Sequence, residues 1–257
     1  MELPDSQIAV TLFNLRDYCK TESELDATLD KLCAIGYKAV QVSCVPLEPA
    51  VIKKQLDKHG LVCCATHDGL AMIKDDTQKL IDKMHTLECD FVALGAPPLD
   101  VIKDRALFDD LINTFNEKGQ ELLAAGIKLG YHNHHFELER YDGRTQLDIM
   151  IEDTDPELFN FILDTHWLQT GGVYPPDYIR KVKGRMKVCH FKDYKIENGE
   201  RKYAEIGTGN LNLDECYRAC VESGVEYIII EQDSCDIDLF ESARISFTNL
   251  KKISERN

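Results

Sequence analysis

Short apolar runs alternate with longer amphipathic segments along the whole of this 257-residue chain. Eight runs of β-branched or aliphatic residues read as buried strands: "IAVTLF" at 8–13, "KAVQVSC" at 38–44, "LVCCATH" at 61–67, "FVALGA" at 91–96, "IKLGYHNH" at 127–134, "FILDT" at 161–165, "MKVCHFK" at 186–192 and "YIIIEQ" at 227–232. Between and after them, apolar positions at helical spacing predict helices over 22–35, 49–59, 75–87, 105–125, 146–152, 177–183, 212–223 and 238–254. Gly36, Gly60, Gly126 and Gly224 directly follow four of these helices, where a residue free to turn left-handed closes the last turn. Asn212 with Glu215 three residues on forms a modified capping box at the start of another.

Eight strand–helix units in a chain of this length, with no Pro/Gly/Ser-rich linker, are the count and size of a (β/α)8 TIM barrel. The expected fold is therefore α/β, with one domain over residues 1–257. The rival is an open doubly wound sheet, and it lacks the glycine-rich dinucleotide loop that such a sheet carries after its first strand. At 44% hydrophobic and 29% charged, the chain can bury a large core. No apolar run approaches the ~20 residues that span a bilayer, and the start "MELPDSQIAV" has neither a basic flank nor an apolar signal core, so the expected location is cytoplasmic with no membrane partner. The formal charge of −15 disfavours a nucleic-acid partner, which needs clustered Lys and Arg. Ten cysteines sit in apolar contexts without a CxxC pair, and read as small buried hydrophobes rather than disulfides.

A barrel brings the C-terminal ends of its strands to one mouth, so the residues there carry the chemistry. Strand five ends in "YHNHHFELE", with His132, His134, His135, Glu137 and Glu139; strand six in Asp164; strand seven in His190 and Lys192; strand eight in Glu231; strand three in His67 and Asp68. Carboxylates gathered at buried strand ends repel one another unless something neutralises them, and a divalent cation does so directly. Asp164, His190 and Glu231, with a fourth ligand from strand five, make an oxygen-rich set suited to one Mn, Mg, Co or Zn ion. Each residue also has a plainer reading. Asp164 could cap the turn after its strand, His190 could be a satisfied core histidine, and Lys192 could pair with Asp193 or Asp68. Glu231, after three isoleucines, needs a buried partner in any reading.

Five motifs, "YHNHHFEL", "ILDTHW", "HFKD", "EIGTGNLN" and "IIIEQD", give the chain a resemblance over essentially its whole length to the xylose-isomerase-like TIM barrels grouped as sugar phosphate isomerases/epimerases. The resemblance implies a mononuclear metal site of two glutamates, an aspartate and a histidine, carried here by Asp164, His190 and Glu231. Many relatives end strand five with Glu-Asn where this chain has His132-Asn133. Either His132 replaces that carboxylate or Glu137 folds back to supply it; Glu137 is the expected ligand, with His132 and His134 lining the pocket. Endonuclease-like members use further histidines where this chain has Trp167 and "GAPP", which argues against DNA repair.

The implied partner is a small sugar or sugar phosphate, and the implied activity is that of an isomerase or epimerase. Proton abstraction beside a carbonyl would give an enediolate, with Glu137 and Glu231 as the catalytic acid–base pair. His132, His134, Trp167, Lys192 and His67 are the expected substrate-binding residues. Loss of a β-hydroxyl instead would make a keto-sugar or keto-inositol dehydratase, and a non-catalytic metal- or sugar-binding barrel is the remaining alternative. "GTGN" at 207–210 precedes a helix and is either a phosphate loop or a simple connection. Relatives often form homodimers, though no interface signature stands out here.

Overall fold

The computed structural model describes residues 4–257. Eight parallel strands form one sheet: β1 (Ile8–Thr11), β2 (Ala39–Val42), β3 (Val62–Asp68), β4 (Phe91–Leu94), β5 (Lys128–His132), β6 (Phe159–Ile162), β7 (Val188–Phe191) and β8 (Tyr227–Ile230). Their spatial order is β6-β5-β4-β3-β2-β1-β8-β7. The two edges, β6 and β7, meet through a parallel bridge between Asp164 and His190. Backbone hydrogen bonds from Phe161 N to Arg185 O (2.8 Å) and from His190 N to Leu163 O (2.9 Å) run along the same seam. The sheet is thereby a nearly closed TIM barrel.

Eight principal helices cover it: α1 (Glu22–Ile35), α2 (Pro49–His59), α3 (Thr77–Thr86), α4 (Arg105–Ala124), α5 (Gln146–Asp153), α6 (Pro175–Lys181), α7 (Leu213–Ser223) and α8 (Leu239–Glu255). Local chemistry starts and stops them. In α1, the Thr21 side chain accepts from Glu24 N while Glu24 reaches back to Thr21 N, and Gly36 takes φ 126° at the other end. Leu25, Leu29 and Leu32 form its buried stripe. Because helices cover the outside and side chains fill the inside, the strands are buried on both faces, which is why they read as continuous apolar runs.

Period-two alternation sorts the strand residues. Outward-facing Val10, Val40, Val92, Leu129, Phe161 and Ile228 belong to the layer shared with the helices. Inward-facing Ala9, Ala39, Ala65, Ala93, Ile162, Val188 and Ile229 form a separate, mostly small-residue plug. Gly130 belongs to that inner face as well, since a Cβ there would lie 2.8 Å from the Phe91 ring. Two residues further along the same strands, the inward positions become Gln41, His67, His132, Asp164, His190 and Glu231, all at the C-terminal end. The apolar plug is the floor on which the polar layer stands.

Two hairpins were not expected. Residues Asp193–Glu197 pair with Glu200–Ala204, turning through Asn198 and Gly199, and Arg140–Tyr141 pair with Arg144–Thr145, turning through Asp142 and Gly143; all four turn residues have positive φ. Asn-Gly and Asp-Gly are strong short-range hairpin signals, and both stood in the sequence. All ten cysteines are free, seven of them buried. Among the described residues no helix is long and apolar enough to cross a membrane.

Candidate metal centre and active-site cavity

The residues at the ends of β5 to β8 converge. One ligand-capable atom from each of His132, Asp164, His190 and Glu231 lies within 4.8 Å of the others, and all four side chains are buried. His132 is held by its other nitrogen: Nδ1 lies 3.0 Å from Gly95 O, a carbonyl that can only accept, so Nε2 carries the free lone pair. That Nε2 has no hydrogen-bond partner and lies 3.6 Å from Asp164 Oδ2 and 3.7 Å from Glu231 Oε2.

Asp164 does cap a helix, the short one at Thr165–Thr170, but with one oxygen only. Oδ1 accepts from Trp167 N (3.0 Å), leaving Oδ2 buried and unpartnered toward the cluster. Asn133 steadies this turn, its Oδ1 accepting from Asp164 N (2.9 Å). His190 is not a passive core residue either: Nδ1 is 2.7 Å from Glu231 Oε2 and Nε2 is 3.0 Å from Gln41 Oε1. Burial lowers the His190 pKa, favouring the neutral ring. His190 Nδ1 and Glu231 Oε2 share one proton across their 2.7 Å contact, a place that a bound cation would take.

Two nitrogens and two carboxylate oxygens, with unpartnered atoms aimed at one point, fit a borderline or hard divalent ion. Nearby, Lys192 is buried, with Nζ 2.7 Å from Asp233 Oδ2, 3.8 Å from Glu231 Oε2 and 4.0 Å from Asp164 Oδ2. Burial alone would lower its pKa, but Glu231, Asp164 and Asp233 outweigh that and raise it. Burial likewise pushes Glu231 upward, yet Lys192 and His190 hold it well below the usual carboxylate range. Asp164, Glu231 and Asp233 are therefore countered within the protein by one buried ammonium.

Glu137 does not join the four. The turn Phe136–Leu138 folds its carboxylate back, where Oε1 accepts from Tyr131 OH (2.6 Å) and Oε2 from His134 N (2.8 Å). The side chain is fully buried there, 3.8 Å from His134 Nδ1. The expectation that Glu137 completes the ligand set differs from this arrangement: its oxygens are engaged by Tyr131 OH and His134 N, and His132 takes the position facing the cluster. Gln41, buried at the site, escaped the sequence reading, as did Asp233, and Asn133 was noted there without the role of holding the Asp164 turn. A lone glutamine two residues after Ala39 in "KAVQVSC" was the available signal for Gln41.

Beside the cluster opens a cavity of about 1080 Å³ lined by His67, His132, His134, Trp167, Lys192 and Glu231, among others; Asp164 and His190 are not part of its lining. The His67 ring is 5.1 Å from His132 and 5.4 Å from His190, and a Cβ at Gly95 would come within 3.1 Å of it. Burial, then the neighbouring His132 and His190, lower the His67 pKa far below 6.5, so its ring is neutral. Lys192 Nζ stands 4.8 Å over the Trp167 ring. The "GTGN" loop points elsewhere: Asp193 fills it, accepting from the backbone N–H groups of Gly207 (3.1 Å), Gly209 (3.0 Å) and Leu211 (3.2 Å).

Barrel, polar strand ends and a buried His/Asp/His/Glu group together define a TIM barrel with a candidate metal site at its C-terminal mouth. The family model described as Xylose isomerase-like TIM barrel matches residues 29–252, and the chain belongs to that family. It is similar to an inosose dehydratase from Lacticaseibacillus casei, 22% identical over 86% of this chain and 87% of the relative. A sugar phosphate isomerase/epimerase from Parabacteroides distasonis superposes with TM-score 0.80 at 20% identity, over 96% of this chain and 94% of that one. A Xylose isomerase-like TIM barrel protein from Mycobacterium smegmatis, solved in complex with magnesium, gives TM-score 0.75 at 16% identity over 97% of each chain.

Proposed function

We propose that the protein is a metal-dependent sugar isomerase or epimerase that takes a proton from the carbon beside a carbonyl and returns it. The observation that carries this reading is the convergence of unpartnered His132 Nε2 and Asp164 Oδ2 with Glu231 beside a cavity lined by proton-handling side chains. His132, Asp164, His190 and Glu231 would hold the ion, which when bound would polarise the substrate carbonyl and acidify the neighbouring C–H.

The chain's own groups do the rest. Glu231, kept ionised by Lys192 and His190, is the base on one side of the cavity. His134 is the second proton carrier, its backbone N–H donating to Glu137 Oε2 at 2.8 Å, so that Glu137 positions the residue instead of touching the ion. Lys192 stays protonated and offers N–H to a substrate oxygen from its place over the Trp167 ring. Trp167 supplies a flat wall for a sugar face. Proton return to the same carbon on its other face yields an epimer; return to the adjacent carbon yields an aldose–ketose pair.

A second reading has an observation of its own. With Glu137 outside the group, only Glu231 among the two expected glutamates faces the ion site, and delivery of the proton to a departing β-hydroxyl needs just one base and one acid. The dehydratases among the relatives match this chain over most of their length. The test is turnover of ketoses and keto-inositols in D₂O with added manganese. Deuterium beside the carbonyl without loss of water supports isomerisation or epimerisation; formation of an unsaturated or diketo product with release of water assigns dehydration.

A further inference from the structure

We infer that the substrate is an unphosphorylated sugar carrying an apolar substituent of about aryl size, the ring of the sugar lying over Glu231 and the substituent reaching across the mouth toward β1–β3. This rests on the sugar reading above. The cavity of about 1080 Å³ sits at the upper end of the range that encloses drug-sized ligands, and one sugar ring leaves much of it to solvent. The vacant remainder has a definite chemistry. Phe13 after β1, Val45, Pro46 and Leu47 after β2, Ile52 at the start of α2 and Met72 after β3 form its wall. Val45, Leu47 and Met72 are half-buried because their other faces pack on the main core, so the wall is preformed. The turn into it passes through Cys44 at φ 56°, a left-handed conformation that a non-glycine residue adopts only when its surroundings impose it.

Charge argues against a phosphate in the same space. The cavity is lined by three lysines, Lys79, Lys83 and Lys192, and by no arginine, against five carboxylates, Glu48, Asp68, Asp82, Glu231 and Asp233. Two of the lysines are already paired: Lys83 Nζ is 2.7 Å from Asp68 Oδ1, and Lys192 Nζ is 2.7 Å from Asp233 Oδ2. With a bound divalent ion and Asp164 added to the count, the balance is still not positive, so a dianion gains nothing from this part of the cavity, whereas a neutral aryl or similarly flat group would displace water from apolar walls.

Trp167 is the only tryptophan in the chain and lines the cavity, so its fluorescence reports occupancy without turnover. Magnesium-loaded protein would be titrated with glucose, galactose and xylose, with their phenyl α- and β-glycosides, and with glucose 6-phosphate. At least one phenyl glycoside is expected to bind tenfold or more tighter than its parent sugar, the gain that burying part of a phenyl ring yields at about 25 cal/mol per Å². That ratio should fall to about one in both Leu47→Asp and Leu47→Ser, the serine variant guarding against misfolding by the aspartate. Phenyl glycosides no tighter than the parent sugars, no binding of any, or tightest binding of glucose 6-phosphate would overturn the inference. A parallel calorimetric titration with manganese separates the two levels. Metal bound with no aryl preference sinks the substrate class alone, whereas no metal bound sinks the site reading beneath it.

Discussion

The two halves of the barrel mouth are built by different means. On the β5–β8 side, the working groups sit on or directly after the strands, nearly or wholly buried, each with a second atom fixed: His132 by Gly95 O, Asp164 by Trp167 N, His190 by Gln41. On the β1–β3 side, the same strand positions carry Thr11, Gln41 and His67, and the surface is made by loops whose apolar residues face the cavity. Strand ends hold reacting groups to fractions of an ångström because their rotamers are locked; loops can change shape without moving them. The difference suggests that the first half decides whether chemistry occurs and the second decides on what.

The sharpest way to break that division is at Asp164. Asp164→Asn keeps an oxygen for the Trp167 cap but removes the charge, so manganese affinity should fall by more than about 100-fold, beyond the cost of losing an outer-shell partner. The metal-free variant should be no less stable than the parent, because a buried, half-paired carboxylate is gone. Calorimetry and thermal unfolding measure both, and a variant that binds manganese normally would remove Asp164 from the site.

Stripping the ion with EDTA comes next. Turnover should vanish and return with manganese, and unfolding should shift by about 2.7 kcal/mol at a metal concentration 100 times its dissociation constant. Activity surviving full chelation would leave the whole polar half without its proposed purpose. Within that half, His132→Ala should abolish metal binding, whereas Glu137→Gln should bind metal normally and turn over roughly 10- to 100-fold more slowly through a misheld His134. The opposite ordering would return Glu137 to the ligand set.

The smallest effect belongs to the loop side. Cys44→Gly relieves the left-handed backbone, worth about 1–2 kcal/mol per residue at most and partly offset by glycine's greater unfolded freedom. A denaturant midpoint that moves slightly upward with unchanged manganese affinity is expected. A loss of metal binding would show that the two halves are not independent.

The sequence carried the barrel because inward and outward faces are both apolar, which makes each strand a visible run, and because helix caps such as Thr21 with Glu24 lie beside their helices in the chain. The members of the candidate cluster that sit at strand ends were legible for the same reason: Asp164, His190 and Glu231 each fall two positions beyond an inward residue of the plug. Glu137 was not, since a residue in a 3-10 turn has no such period. Where its side chain goes depends on Tyr131, reached back across the turn. The hairpins were missed because their strands, such as DYKIE and ERKYA, are charged rather than apolar runs, although their Asn198-Gly199 and Asp142-Gly143 turns announced them.

Asp164 and His190 are also the bridge that joins the first and last edges of the sheet. An ion gripping both would act as a clasp on the cylinder, so that breathing of the seam and departure of the metal become one event. Cells short of the cation would then hold a population with transiently bare strand edges, open to hydrogen exchange and to pairing with other chains. Supply of the ion would in that way govern how long the protein survives as well as how fast it works.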